Sequence, residues 1–241
     1  MSQPTETIQV NFGNPMPIFP LSGVVLLPHS VLPLHIFEER YCQMVGDVLD
    51  GSGQIAMAVP EDGAMKDVHG RVAVRPAVCI GQVAQHEVLA DGRYNLLVRG
   101  VCRARIVEEE DPEEGRLYRA VQLEPIECPP PSAEDLETTE MMALRSRLDD
   151  LFEEGESLDA LAIAPNIREH LRGDELPTVA ILELLGITAV SDIATKYRLL
   201  EEGDPGQRGE IIESELRTLD RLLRKATSQI DPGAPKGVTW N

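Results

Sequence analysis

Between residues 16 and 37 the chain sets short apolar runs (16–21, 24–27 and 31–37) between Pro17, Pro20, Gly23, Pro28 and Pro33. Proline donates no backbone N–H and fixes its own φ, so this spacing excludes one long helix and predicts short strands that bend or pair on one side. The period then changes. Phe37, Tyr41, Met44, Val45, Val48 and Leu49 recur at steps of three and four, which puts them on one helical face. Glu38 and Glu39 fall in the first turn of that helix, where the macrodipole favours carboxylates, and Gly51 and Gly53 end it.

Further along, residues 54–60 (QIAMAVP) read as a short buried strand and 61–70 as a surface loop. Residues 77–89 read as a strand with Gly81 as a bulge site. The turn at 90–93 contains Asp91-Gly92, which supplies the positive φ of a tight hairpin. In the return strand, 94–107, Leu96, Val98, Cys102, Ala104 and Ile106 occupy even positions, while Arg99, Arg103 and Arg105 occupy odd ones. That period of two predicts one packed and one wet face. After the acidic turn at 108–114, residues 116–126 are expected to return as a further strand.

Glu127-Cys-Pro-Pro-Pro-Ser132 marks a boundary, because three prolines make a stiff spacer. Ser132 and Asp135 resemble a capping box, and the composition turns helical from there. Leu144, Leu148, Leu151 and Phe152 mark a first helix. Residues 158–171 read as one or two helices broken at Pro165. Segments 177–185 and 190–200 suggest two more, parted near Gly186. Asp204-Pro205 begins the last helix, in which Ile212, Leu216, Leu219, Leu223, Ala226 and Ile230 form a heptad-like seam for a bundle or a short coiled coil. Glu213–Arg217 and Asp220–Arg224 are i,i+4 pairs on the same helix. The expected organisation is therefore α+β. It has an N-terminal arm (1–14), a β-rich domain (15–127), a helical bundle (128–230) and a tail (231–241) that holds Trp240.

Composition narrows the function. The 241 residues carry a formal net charge of −19, which disfavours nucleic acid and anionic membranes as partners. No apolar run reaches the roughly 20 residues of a membrane helix, and no basic-then-apolar leader opens the chain, so a cytoplasmic location is expected. Cys42, Cys79, Cys102 and Cys128 are too dispersed for a metal knuckle and read as free thiols. His29 and His35 flank Pro33 but lack a tight ligand set, and Ser22 and Ser30 lack a nucleophile-elbow context. No cofactor or metal is expected.

The pattern FPL-x-x-VV-x-x-P-x-x-x-x-PLHIFE-x-RY (residues 19–41) resembles the opening of the Lon protease N-terminal, substrate-binding domain. Its wording is similar to that of stand-alone bacterial proteins carrying this domain alone. LLVRGVCRARI (96–106) resembles the family's V-x-G-x-x-R-x-R-I strand, and Lys196-Tyr-Arg-Leu-Leu-Glu201 resembles its K-Y/Q-x-LLE segment. The resemblance implies a PUA-like β pseudobarrel followed by an α-helical bundle. Neither the G-x-x-x-x-G-K-[ST] phosphate loop nor the serine-bearing DGPSAG segment of full Lon proteases occurs in the sequence. A non-enzymatic module is expected, one that binds unfolded segments, degrons or a protein partner such as a protease or chaperone. The residue pattern says nothing of the oligomeric state. The candidate binding residues are His35, Ile36, Phe37, Glu38, Arg40 and Tyr41, at the junction of strand and helix. In the sequence reading, Tyr41 packs in the core and Arg40 pairs with an acid on a neighbouring strand. A small-molecule or nucleotide binder using a pseudobarrel pocket is the alternative. By analogy with RNA-binding PUA-like folds, Arg99, Arg103 and Arg105 form a candidate RNA face. The negative field and the lack of interleaved aromatics count against it.

Overall fold

The computed structural model describes residues 8–65, 71–111, 113–126, 137–154, 158, 161 and 163–228. The capping box at Ser132, Cys128, Ile230, the tail with Trp240 and part of the expected arm lie outside them. Contacts divide the chain into two units. One comprises Met1–Pro129 with Ser191–Asp204, the other Pro130–Val190 with Pro205–Asn241.

In the first unit β1 (Met16–Pro20), β2 (Val31–Ile36), β3 (Gln54–Pro60), β4 (Val74–Val88), β5 (Tyr94–Glu109) and β6 (Ala120–Pro125) form one mixed sheet, with α1 (Glu39–Leu49) between β2 and β3. Only β1 and β3 run parallel. The pairings pass from β5 through β4, β3, β1 and β6 and return to β5, so five strands close on themselves. The length of β5 makes this possible. One of its edges carries β4, while the other is shared between β2, along Tyr94 to Arg99, and β6, along Ala104 to Glu109. Ile18, Ala56, Val78, Ile80, Ala104 and Val121 pack inside as core. The same unit holds α5 (Ile193–Glu201). There the Ala77 N–H donates to the Tyr197 hydroxyl at 2.9 Å, and Arg75 stacks on the Tyr197 ring at 4.5 Å.

Several expectations need correction. Residues 24–27, of which 25–27 are buried, form no strand, because Gly23 (φ 79°) and His29 (φ 66°) turn the chain on either side of them. The Leu27 carbonyl accepts from the Ser30 hydroxyl at 2.6 Å, which closes that loop. The irregularity expected at Gly81 is present, but the extra residue is Val101 on the opposing strand. The strand expected over 116–126 shortens to β6.

In the second unit α2 (Thr139–Glu154), α3 (Ala164–Arg172), α4 (Thr178–Thr188) and α6 (Pro205–Ser228) pack through Leu144, Leu148, Phe152, Ile167, Ile181 and Ile212, among others. Pro165 does not break a helix. It sits in the first turn of α3, where its missing N–H costs nothing. Gly186 lies buried within α4 rather than parting two helices. Arg145 donates to the carbonyls of Leu171 (2.8 Å) and Leu176 (2.9 Å) and to those of His170 and Gly173. One guanidinium therefore caps the end of α3 and orders the link to α4. Both expected α6 pairs form, Arg217–Glu213 at 2.8 Å and Arg224–Asp220 at 2.7 Å. No helix among the described residues is long and apolar enough to cross a membrane.

Candidate functional site

Two successive changes of backbone build the site. β2 ends at Ile36, whose buried side chain belongs to the core, and Phe37 follows as an exposed ring. Glu38 then stands extended at the N-cap of α1, without a side-chain capping bond. Phe37 therefore precedes the helix and is 64% exposed, contrary to the helical position expected from its spacing. The period of α1 begins in earnest with Met44, Val45 and Val48, which are its buried residues.

A groove of about 550 Å³ opens at this junction. His35, Ile36, Phe37, Glu38, Arg40 and Tyr41 all line it. His35 is exposed, its Nδ1 2.8 Å from Asn95 Oδ1, and its ring stacks near Phe37 with centroids 6.2 Å apart. Tyr41 is half-buried and meets Phe19 edge-on at 4.6 Å, so it forms a wall of the groove. Burial pushes its phenol pKa up, against the opposing pull of Arg40. Arg40 pairs with Glu38 at 2.7 Å and lies over the Tyr41 ring at 4.6 Å. Among the described residues, this ion pair gives Arg40 an acid two residues earlier in the chain rather than one on a neighbouring strand.

Arg71 and Arg119 also line the groove, along with the apolar residues Leu21, Val24, Leu32 and Leu34. Arg119 is held in place by Glu109 at 2.7 Å and by donation to the Val72 carbonyl at 2.7 Å. Sequence reasoning missed both arginines. No local pattern links positions 71 and 119 to 35–41; closure of the sheet brings them together. Among the described residues, no group of three or more His, Cys, Asp or Glu is placed to hold a metal.

The arginine row does not share one face. Arg99 pairs opposite Gln82, whereas Arg103 and Arg105 pair opposite Cys79 and Ala77. The extra residue at Val101 reverses the alternation, so Arg99 faces the other way. Arg103 is 2% exposed and donates to the Leu199 carbonyl of α5 at 3.0 Å. The wet face expected along β5 is therefore broken at its middle.

The family model describing the ATP-dependent protease La (LON) substrate-binding domain matches residues 15–218. The chain belongs to the Lon substrate-binding domain family. A Lon protease from Xanthomonas oryzae pv. oryzae is 25% identical over 229 residues, covering 90% of this chain and 25% of that protease. One from Desulfovibrio desulfuricans is 26% identical over 230 residues, covering 92% and 24%. The chain thus spans about a quarter of the length of these relatives. Two solved structures share the fold. The N-terminal domain of Mycobacterium avium complex Lon protease has a TM-score of 0.61 at 20% identity, over 85% of this chain and 98% of that one. A Lon N-terminal domain protein from Xanthomonas campestris has a TM-score of 0.57 at 21% identity, over 83% and 98%. The match to the Lon family lies in its substrate-binding domain, and the described residues of this chain form a mixed sheet and six helices.

Proposed function

We propose that this chain is a non-catalytic recognition module that binds unfolded polypeptide segments, degrons or a protein partner through the groove at the β2–α1 junction. The observation that carries the reading is the groove itself. An apolar channel walled by Phe19, Tyr41 and the exposed Phe37, in a member of a substrate-binding family, suits apolar side chains of a polypeptide. On this reading the closed ring of strands is a PUA-like pseudobarrel and the second unit a helical bundle. The expected division into an N-terminal arm, a β-rich domain from 15, a helical domain and a tail belongs to the same proposal, as does a cytoplasmic setting. Captured segments are presented to a separate protease or chaperone, and no catalytic step belongs to the chain.

Fluorescence polarisation of the full chain against a labelled unfolded protein fragment, an unstructured peptide and a single-stranded RNA tests this. Saturable binding of the polypeptides over the RNA supports it. Binding of neither polypeptide nor any cellular protein above background contradicts it. A groove of this volume also suits a small ligand, so thermal stabilisation by a nucleotide or metabolite, with no polypeptide binding, would favour the alternative.

A further inference from the structure

We propose that a bound segment adds to the open edge of β2 as an extra strand, with apolar side chains in the groove and an acidic side chain at the groove's arginines. This rests on the polypeptide-binding reading above and specifies how the client is held. β2 ends the order of the sheet, and among the described residues β5 is its one neighbour in the sheet. The Gly100 N–H donates to the Ser30 carbonyl at 2.9 Å, which sets the parity of the ladder. Because antiparallel ladders alternate, Leu32, Leu34 and Ile36 bond to β5, while Val31, Pro33 and His35 direct their backbone groups away from it. Pro33 thus sits where its missing N–H costs no bond to β5. The open edge still offers the N–H groups of Val31 and His35 and the carbonyls of Val31, Pro33 and His35.

The groove lies where this edge can be used. Five consecutive residues of β2, Leu32 to Ile36, line it, with Phe37 and Glu38 beyond the end of the strand. One face of a strand contributes alternate residues only, so an unbroken run means that the groove follows the edge of the strand as well. Main-chain pairing along an edge is tolerant of sequence, and pockets beside it select alternate side chains.

Charge selects the acidic partner. Arg40, Arg71 and Arg119 line the groove, with Glu38 in the lining and Glu109 paired to Arg119, in a chain whose net charge is −19. Arg40 and Arg119 already hold Glu38 and Glu109, so a client carboxylate joins these pairs as an additional acceptor. At contact range these cations outweigh distant carboxylates, which are screened beyond about 8 Å at physiological salt. The same net charge disfavours a second copy of this chain as the occupant.

The test is a polarisation titration of the full chain with a short unstructured peptide of alternating valine and threonine carrying one central glutamate. Two variants of the peptide are N-methylated, one at the odd amides and one at the even amides; a third replaces the glutamate by lysine. Strand addition predicts that one N-methylated peptide binds about fivefold or more weakly while the other keeps the parent affinity, since only one parity donates to the edge. The lysine peptide is expected to bind about threefold or more weakly, with the difference shrinking as salt rises. Equal affinity of the two N-methylated peptides overturns strand addition and leaves the recognition reading standing. So does binding of an unfolded protein without binding of the parent peptide. A lysine peptide that binds as well as the parent overturns the acidic preference. Failure of every polypeptide to bind removes both the inference and the reading beneath it.

Discussion

Gly100 shows how one residue ties the sheet to the loop that leads into the site. A Cβ at this position would run into the backbone carbonyl of Leu27, and the Gly100 N–H and C=O bond to Ser30 and His29. The glycine in the V-x-G-x-x-R-x-R-I pattern therefore serves close backbone approach. Gly100→Ala is expected to cost on the order of 2 kcal/mol in a denaturant titration, by forcing the 24–30 loop off β5. An unchanged midpoint would show that the loop gives way freely. The first arginine of the same pattern, Arg103, has its reason in the Leu199 carbonyl, a partner 96 residues away that no local reading finds. Tyr118 offers a test by pH. Burial first, and then the hydrogen bond to Asp47 at 2.8 Å, push its phenol up to about 12. A raised tyrosine favours the neutral form in the fold. Its stabilising contribution is whole below the unfolded value near 10 and fades as pH rises through about 12. An alkaline absorbance titration should show late ionisation that Tyr118→Phe removes; loss of only an early-titrating tyrosine in that variant would contradict the assignment.

Among the elements, those carried by strong local period were legible in the sequence. β3 coincides with the expected 54–60 run, and the Asp91-Gly92 turn forms with Gly92 at φ 81°. The start of α6 at Pro205 follows from the Asp-Pro pair. What was not legible depends on long-range closure. The bulge at Val101, the burial of Arg103 and the grouping of α5 with the strands each depend on a partner distant in sequence. The six candidate residues at the site were legible because a strand-to-helix change is local, whereas Arg71 and Arg119 were not. The α6 seam is buried at Ile212 and Leu216 but only half-buried at Leu219 and Leu223, so its first half is the part that packs. Beside it, Arg208 (2% exposed) meets Glu183 (7%) at 3.4 Å, an ion pair buried between α6 and α4. Glu183→Leu deletes a charged partner of the buried Arg208 and should cost about 3–5 kcal/mol, whereas Glu183→Gln, which keeps an acceptor there, should cost less. Calorimetric or chemical denaturation of the two variants checks this, and equal losses would contradict it.

At the scale of the whole molecule, function follows from where the ring of strands leaves an edge open. Five strands satisfy one another by closing, and among the described residues β2 remains outside with one partner beside an apolar groove. A closed ring needs no protection against pairing, while an outlying edge must be guarded or used. Pro33 guards part of it, and the exposed Phe37, the Tyr41 wall and the arginines suit it for use. The acidic remainder of the chain keeps such a surface from collecting anionic polymers. Amide hydrogen exchange of the full chain, with and without a saturating unfolded polypeptide, tests this account most directly. The account predicts slowed exchange at Val31 and His35, with protection spreading to Phe37, Glu38 and Val72 and none required in the helical unit. Protection confined to the helical unit, or exchange unchanged along β2 under saturating binding, would contradict it.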